Sequence, residues 1–246
     1  MHPALHASAC ALALALLSGS GQAWASTTHS AFSDVAGSAA TDGYNQLTNA
    51  RITTSQLVAG LAGNAHGEGA ASFKRLTGGY YPASNGLYSW STDSAFSFTV
   101  GNAVAGLSSV NLQSFVTVDT SQGVDGMLEA GYLPTLSYNG GAQSLAPVYT
   151  MSSVAGGFDM DGNALSASAS NPNYGQFAWD LSGVGTSVSS FTITFGLDTH
   201  ANALAFQLDQ VAAVPEPGTY AFAAIGLALC AGAGWRRRHK TRSLAA

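Results

Sequence analysis

Imidazole groups are the first candidates for chemistry in this sequence, and residues 26–215 contain three of them, His29, His66 and His200. Two stand two positions from a carboxylate, in His66-Gly67-Glu68 and in Asp198-Thr199-His200. Each pair could be half of a catalytic triad or of a metal site. Both stretches are rich in turn residues, where polar side chains are expected in any case. No Gly-x-Ser-x-Gly elbow presents a serine nucleophile. We therefore expect a protein that is not an enzyme and that has no cofactor.

Paired carboxylates are the second candidates, because two acids facing each other across a cleft can hydrolyse a glycosidic bond. The acidic residues concerned are Asp119, Asp125, Glu129, Asp159 and Asp161. Sequence spacing does not fix their separation in space, so an acidic-residue glycoside hydrolase is the least favoured of the alternatives. Solvated acids in loops are the simpler interpretation.

Asp159 and Asp161 raise a separate possibility, a calcium site, since oxygen ligands on alternate residues of a turn suit this ion. An EF-hand loop also needs a glycine and a distal glutamate, and Ala164 and Ser170 stand at those positions. We therefore favour a turn and predict no metal.

Aromatic residues are the third candidates. Tyr80, Tyr81, Tyr88 and Trp90 lie within eleven positions of one another. Exposed rings of this kind can stack on sugars, whereas buried ones are normal in a β-sheet core. A carbohydrate-binding module is therefore the main alternative function.

Charge separates the middle of the chain from its end. Residues 26–215 carry three basic residues, Arg51, Lys74 and Arg75, against twelve acidic ones, which gives a net charge of about −9. Such a balance repels phosphate backbones, so we expect no nucleic-acid partner. The two cysteines, Cys10 and Cys230, both lie outside this region, so no disulfide can stabilise it.

Alternating apolar and polar residues predict that this region is all β. Five stretches show the pattern most clearly: residues 93–100, 110–118, 174–181, 188–197 and 204–208. Weaker signals suggest strands at 52–58, 87–90, 133–138 and 147–151, with a helix at 55–61 as an alternative to the first. Turn residues separate the last three clear strands, as in an antiparallel meander. We predict one antiparallel β-sandwich over residues 26–213, of jelly-roll type.

The beginning of the chain has the features of a signal peptide. Residues 7–17 form an apolar stretch of the right length, and Ala23 and Ala25 are small residues at the positions that a signal peptidase reads. Cleavage after Ala25 would leave Ser26 as the first residue. Residues 1–25 are therefore predicted to direct export and then to be removed.

The end of the chain contains three features in a fixed order. Val214, Pro215, Glu216 and Pro217 come first, and the eighteen uncharged residues 218–235 follow. As a helix these would extend over about 27 Å, enough to cross a bilayer once. A basic tail over 236–242 ends the segment, and its charged residues are Arg236, Arg237, Arg238, Lys240 and Arg242. Such a cluster marks the cytoplasmic side, so residues before 214 are predicted to lie outside.

This order of features resembles the PEP-CTERM sorting signal of Gram-negative surface proteins, and the resemblance covers residues 214–242. It implies that the chain is the substrate of an exosortase, a processing enzyme of the inner membrane. The protein would be anchored in that membrane briefly and processed near residues 215–217. It would then reach the cell surface or the extracellular matrix, where we expect a structural or adhesive role among exopolysaccharides in a biofilm.

Overall fold

In the described part of the chain, the stretches in which apolar and polar residues alternate most clearly form β-strands. The computed structural model describes residues 32–67, 69–118, 123, 126–128, 131–156 and 172–213. The strands found there are β1 (Ser38–Tyr44), β2 (Leu61–Ala62), β3 (Asn64–His66), β4 (Ala71–Gly78), β5 (Tyr81–Pro82), β6 (Leu87–Tyr88), β7 (Ser94–Val100), β8 (Leu107–Thr117), β9 (Thr135–Tyr138), β10 (Val148–Ser152), β11 (Tyr174–Asp180), β12 (Phe191–Leu197) and β13 (Asn202–Ala212). One helix, α1 (Thr54–Ala59), accompanies them.

The strands form two antiparallel sheets. In sheet A the order is β10-β11-β8-β13-β1-β3, and the β5–β6 pair joins it through β13. In sheet B the order is β2-β4-β7-β12-β9. β13, the last of the described strands, is an interior strand of sheet A, between β8 and β1. Its end lies beside the start of β1, where Val211 is opposite Ser38.

Aromatic rings join the inner faces of the two sheets. Phe206 of β13 lies 5.3 Å from Phe73 and 5.5 Å from Phe98 of sheet B, measured between ring centroids. It is also 5.5 Å from Phe195 on β12. All four rings are buried, and burying each contributes about 1.5 to 3 kcal/mol. The prediction of an all-β protein is therefore confirmed, with two antiparallel sheets packed on one core.

The five clearest strand predictions are confirmed by β7, β8, β11, β12 and β13. The predicted meander is wrong, because β11 and β13 belong to sheet A whereas the intervening β12 belongs to sheet B. A register shift between Ala203 and Ala205 also turns Leu204 away from the main core, and it packs near Phe32 instead. The chain therefore crosses from sheet A to sheet B between β11 and β12, and returns to sheet A between β12 and β13.

The predicted strand at 52–58 is wrong, and α1 occupies that stretch. Thr53 caps the helix by accepting a hydrogen bond from the Gln56 N–H at 3.2 Å, while the Gln56 side chain accepts one from the Thr53 N–H at 2.8 Å. This reciprocal capping box satisfies donors that a helix end otherwise leaves unpaired. Leu57 points into the core and is fully buried.

Several predictions concern residues that the structure does not describe. These are the signal peptide with its cleavage site, the sorting motif, the membrane span, the basic tail and the residues Asp159 and Asp161. Among the residues that are described, none form a helix with the length and apolar character needed to cross a membrane.

Candidate functional site

A short hairpin that pairs with the start of β13 positions two of the predicted aromatic residues. Tyr81 of β5 pairs with Tyr88 of β6, and β6 in turn pairs with β13. Leu87 is fully buried and anchors the hairpin. Gly86 allows the close approach to β13, since a Cβ there would lie 2.5 Å from the Ala203 carbonyl oxygen.

Trp90 follows this hairpin and is 58% exposed. Its ring lies 5.8 Å from Tyr88 and meets the His200 ring edge-on at 5.2 Å. Tyr81, which is 40% exposed, stands perpendicular to Tyr88 at 6.4 Å. We call Tyr81, Tyr88, Trp90 and His200 the aromatic patch. It brings three of the four predicted aromatic residues together, and a histidine joins them.

Two hydrogen bonds fix the position of His200 in the patch. Its backbone φ is +71°, and its N–H donates to the Ser89 carbonyl at 3.0 Å. Its ring Nδ1 lies 3.0 Å from the Tyr88 hydroxyl. Because Nδ1 is engaged by Tyr88, the Asp198-Thr199-His200 sequence does not arrange an aspartate on Nδ1 as a catalytic triad requires.

Tyr80 belongs to the core rather than to the patch. It is fully buried, and its ring lies edge-on to Phe96 at 5.6 Å. Its hydroxyl donates to the carbonyl oxygens of Asp198 and Ala201. Burial, together with the nearby Asp198 and Asp93, raises the pKa of this phenol. Tyr80 therefore fixes the turn that carries His200, and its ring is not available to a sugar.

Asp93 connects three loops beside the patch. One carboxylate oxygen accepts a hydrogen bond from the Thr199 N–H at 2.9 Å and another from the Thr199 hydroxyl. The other oxygen accepts from the Tyr132 hydroxyl. Desolvation acts to raise the pKa of Asp93, but these hydrogen bonds outweigh it and hold the pKa below its usual value. Asp93 is thus kept ionised.

In the described part of the chain, two of the cavities open on sheet B. The first, cavity 1, has a volume of about 440 Å³, and Asp93, Tyr132, Thr135 and Thr194 are among the residues that line it. The second, cavity 2, has a volume of about 330 Å³, and its lining includes Thr99, Ser137 and Thr192. Both volumes are within the range of small-ligand sites.

Support for catalysis is limited in the part of the chain that the structure describes. There, no three His, Cys, Asp or Glu side chains come together as a metal site would need. Asp93 is the one carboxylate among the residues that line the two cavities. The acids at 119, 125, 129, 159 and 161 lie outside the described residues, as do His29 and Glu68.

The sequence offers His200 as a candidate for a triad or a metal site and not for the aromatic patch, and it singles out neither Asp93 nor Tyr132. His200 follows Tyr88 by 112 positions, and Tyr132 follows Asp93 by 39. Periodicity relates residues within one element, so it gives no signal for contacts between loops so far apart.

Comparison with known protein families finds a match near the end of the chain. The family model of the PEP-CTERM protein-sorting motif matches residues 213–238. No curated protein and no solved structure matches the chain. The match confirms the predicted sorting motif, and this motif supports an exported protein that is anchored in a membrane and then processed by an exosortase.

Proposed function

We propose that this chain is a surface or matrix protein of a Gram-negative bacterium, with a structural or adhesive role among extracellular polysaccharides. The observation that carries the proposal is the sorting motif at residues 213–238, which directly follows the last strand of the β domain. The charge of about −9 over residues 26–215 is consistent with a domain that stays soluble outside the cell.

The strand order supports the jelly-roll form of the predicted sandwich. Sheet A places β1 beside β13, β13 beside β8 and β8 beside β11. Neighbours that are distant in sequence, as the first and last strands are here, arise when Greek-key connections cross between two sheets. β4, β10 and the hairpin would then be additions to that core arrangement.

Processing is tested by the intact mass of the full chain expressed in its native host, with the exosortase-like enzyme present or deleted. We expect a product that starts at Ser26 and lacks the basic tail only when the enzyme is present. Replacing Pro215 and Pro217 with Ala should block the second cut. The matched control Pro147→Ala leaves the motif intact and should be processed normally. A basic tail that persists in both strains would contradict the proposal.

A carbohydrate-binding module is the second candidate, and the exposed Trp90 ring beside His200 and Tyr88 favours it. Stacking on a sugar would use the open face of Trp90. We expect Trp90→Ala to lose retention on polysaccharide gels, whereas Tyr149→Ala, which removes an exposed ring from β10, should not. Unchanged binding by Trp90→Ala would remove the patch from consideration.

A glycoside hydrolase receives the least support. Among the residues that line the described cavities, Asp93 has no second carboxylate to work with, and its oxygens are occupied by Thr199 and Tyr132. The glycoside hydrolase hypothesis would be supported if the purified chain released reducing ends from a polysaccharide and Asp93→Asn abolished that release.

A further inference from the structure

The outer face of sheet B carries hydroxyl groups in a regular array. Phe96, Phe98 and Ile193 point into the core, so the residues between them point outward. Two rows of side chains cross the sheet, Ser72-Thr99-Thr192-Ser137 and Lys74-Ser97-Thr194-Thr135. We call these two rows the hydroxyl face.

The spacing and charge of this face fit one kind of partner. Neighbouring strands lie about 4.8 Å apart, and side chains two positions apart along a strand lie about 6.8 Å apart. Each hydroxyl can both donate and accept a hydrogen bond. Lys74 is the single charged residue in the two rows. An uncharged polymer that is itself covered with hydroxyls matches such a surface better than an anionic one does.

The cavities lie at opposite ends of the same two strands. Ala95 of β7 and Thr194 of β12 line cavity 1. Thr99 of β7 and Thr192 of β12 line cavity 2. Thr192 and Thr194 are two positions apart on one face of β12, so the hydroxyl face connects the cavities directly. This geometry suits an extended chain rather than a single compact molecule.

Ser97 gives independent support, because its hydroxyl has no hydrogen-bond partner in the described part of the chain. The residue is 2% exposed and lies in the row between Lys74 and Thr194. Buried hydroxyl groups are nearly always paired in folded proteins, so an unpaired one requires an explanation. A ligand hydroxyl that displaces the neighbouring side chains would supply the missing partner.

From these observations we infer that the hydroxyl face binds an extended, neutral polysaccharide chain lying along β7 and β12 from cavity 1 to cavity 2. This inference rests on the proposed function, because the protein must reach extracellular polysaccharide. It does not depend on the aromatic patch. Asp93 connects the two surfaces, since it lines cavity 1 and holds Thr199 next to His200.

Affinity gel electrophoresis of the full chain tests the inference, with a detergent that has no sugar headgroup. The gels contain hydroxyethyl cellulose, galactomannan or dextran as neutral probes, or alginate as the anionic one. We expect at least one neutral probe to retard the protein, and alginate not to. The double variant Thr192→Val and Thr194→Val keeps the side-chain shape and the β-propensity, and should lower affinity by about tenfold or more.

The control Thr150→Val makes the same exchange on an exposed position of β10 in sheet A and should bind like the unaltered chain. Three outcomes would overturn the inference. One is a failure of all three neutral probes to bind, and another is binding that the double variant retains but Trp90→Ala abolishes. The third is self-association of the chain that the double variant relieves, measured by sedimentation. None of these depends on processing, so failure of the sorting proposal would be seen separately in the mass measurement.

Ser97→Ala provides a readout that a purely structural role would not produce. Removal of an unpaired buried hydroxyl should leave the melting temperature unchanged or slightly higher. The same variant should bind the neutral probe several-fold more weakly. A lower melting temperature with unchanged affinity would show that Ser97 serves the fold, and would count against the inferred site.

Discussion

Asp42 is a carboxyl group that the fold has removed from water. It is 1% exposed, and one of its oxygens accepts a hydrogen bond from the Ala71 N–H at 3.0 Å. The other oxygen has no partner among the described residues. Burial raises the pKa of Asp42 to about 6, although the Ala71 N–H acts in the opposite direction. Burial raises the pKa of Asp209 on β13 as well.

This raised pKa predicts a stability that declines as pH rises. The folded chain binds the Asp42 proton more tightly than the unfolded chain, whose pKa is 3.8. The contribution is therefore complete below pH 4 and is lost as the pH passes through about 6. It amounts to at most about 3 kcal/mol. We expect Asp42→Asn to flatten the dependence of the unfolding free energy on pH between 4 and 7, measured by urea denaturation.

Asp180→Asn is the matched control for this experiment. Asp180 is exposed, and hydrogen bonds from Ser182 hold its pKa below the ordinary value. It stays ionised from pH 5 to 7, so its replacement should leave the slope in that range unchanged. An Asp42→Asn curve as steep as that of the unaltered chain would show that the slope comes from other groups.

Gly196 makes room for Tyr132 at cavity 1. A Cβ on Gly196 would lie 2.4 Å from an atom of the Tyr132 ring. Gly196→Ala should push the ring away, weaken the hydrogen bond of Tyr132 to Asp93 and lower the unfolding free energy by about 1 to 3 kcal/mol. Gly183→Ala is the control, because nothing lies within 4 Å of a Cβ there. Equal stability of the two variants, measured by denaturant titration, would contradict this account.

Among the elements, α1 depends on its first residues. Thr53→Ala removes the cap hydrogen bond to Gln56 and should lower the unfolding free energy by about 1 kcal/mol. Thr54→Ala changes the first helical residue, which is exposed and lies one position after the cap. It should be neutral or slightly stabilising, because alanine favours the helix. Thermal unfolding compares the two, and a larger loss for Thr54→Ala would disprove the assigned cap.

Regular alternation of apolar and polar residues decided which elements could be predicted from the sequence. β7, β11 and β12 have large apolar residues at every second position, so their period identifies them. β1 and β4 were missed. β1 has Asp42 among its buried residues, and a register shift between Arg75 and Thr77 interrupts the alternation in β4. At residues 52–58 the apolar pattern was compatible with a strand, and the side-chain cap decided for a helix.

At the scale of the whole molecule, the predicted exported domain, residues 26–213, contains no cysteine and must be stable without a disulfide. Cys10 and Cys230 lie outside residues 26–213. The melting temperature of the processed protein should therefore be the same with and without dithiothreitol, whereas a disulfide of typical strength would contribute about 2 to 4 kcal/mol. A shift of several degrees on adding reductant would show that a disulfide is present, either between retained Cys10 and Cys230 or between two chains that each retain one cysteine.

The sequence predicted the all-β fold and the sorting motif better than it predicted the surfaces of the molecule. The sorting motif is contiguous, so residues 214–217 and the run that follows could be recognised from the sequence. The aromatic patch was predicted in part, through Tyr81, Tyr88 and Trp90, which are close in the chain. The hydroxyl face joins residues 72, 97, 135 and 194 by strand pairing across sheet B. Sequence alternation does not specify which strands become neighbours.

The position of β13 sets the order of events during export. A polypeptide that crosses the membrane from its amino end delivers residues 202–212 after every other described strand, yet these residues lie between β8 and β1 in the interior of sheet A. Until they emerge, β8 is paired only with β11 and β1 only with β3, so sheet A cannot be completed. The sorting motif begins one residue after the strand ends. Completion of sheet A and delivery of the sorting motif therefore nearly coincide. If folding stalls before β13 pairs with β8 and β1, the sorting motif would follow an unpaired segment instead of a strand of the folded sheet.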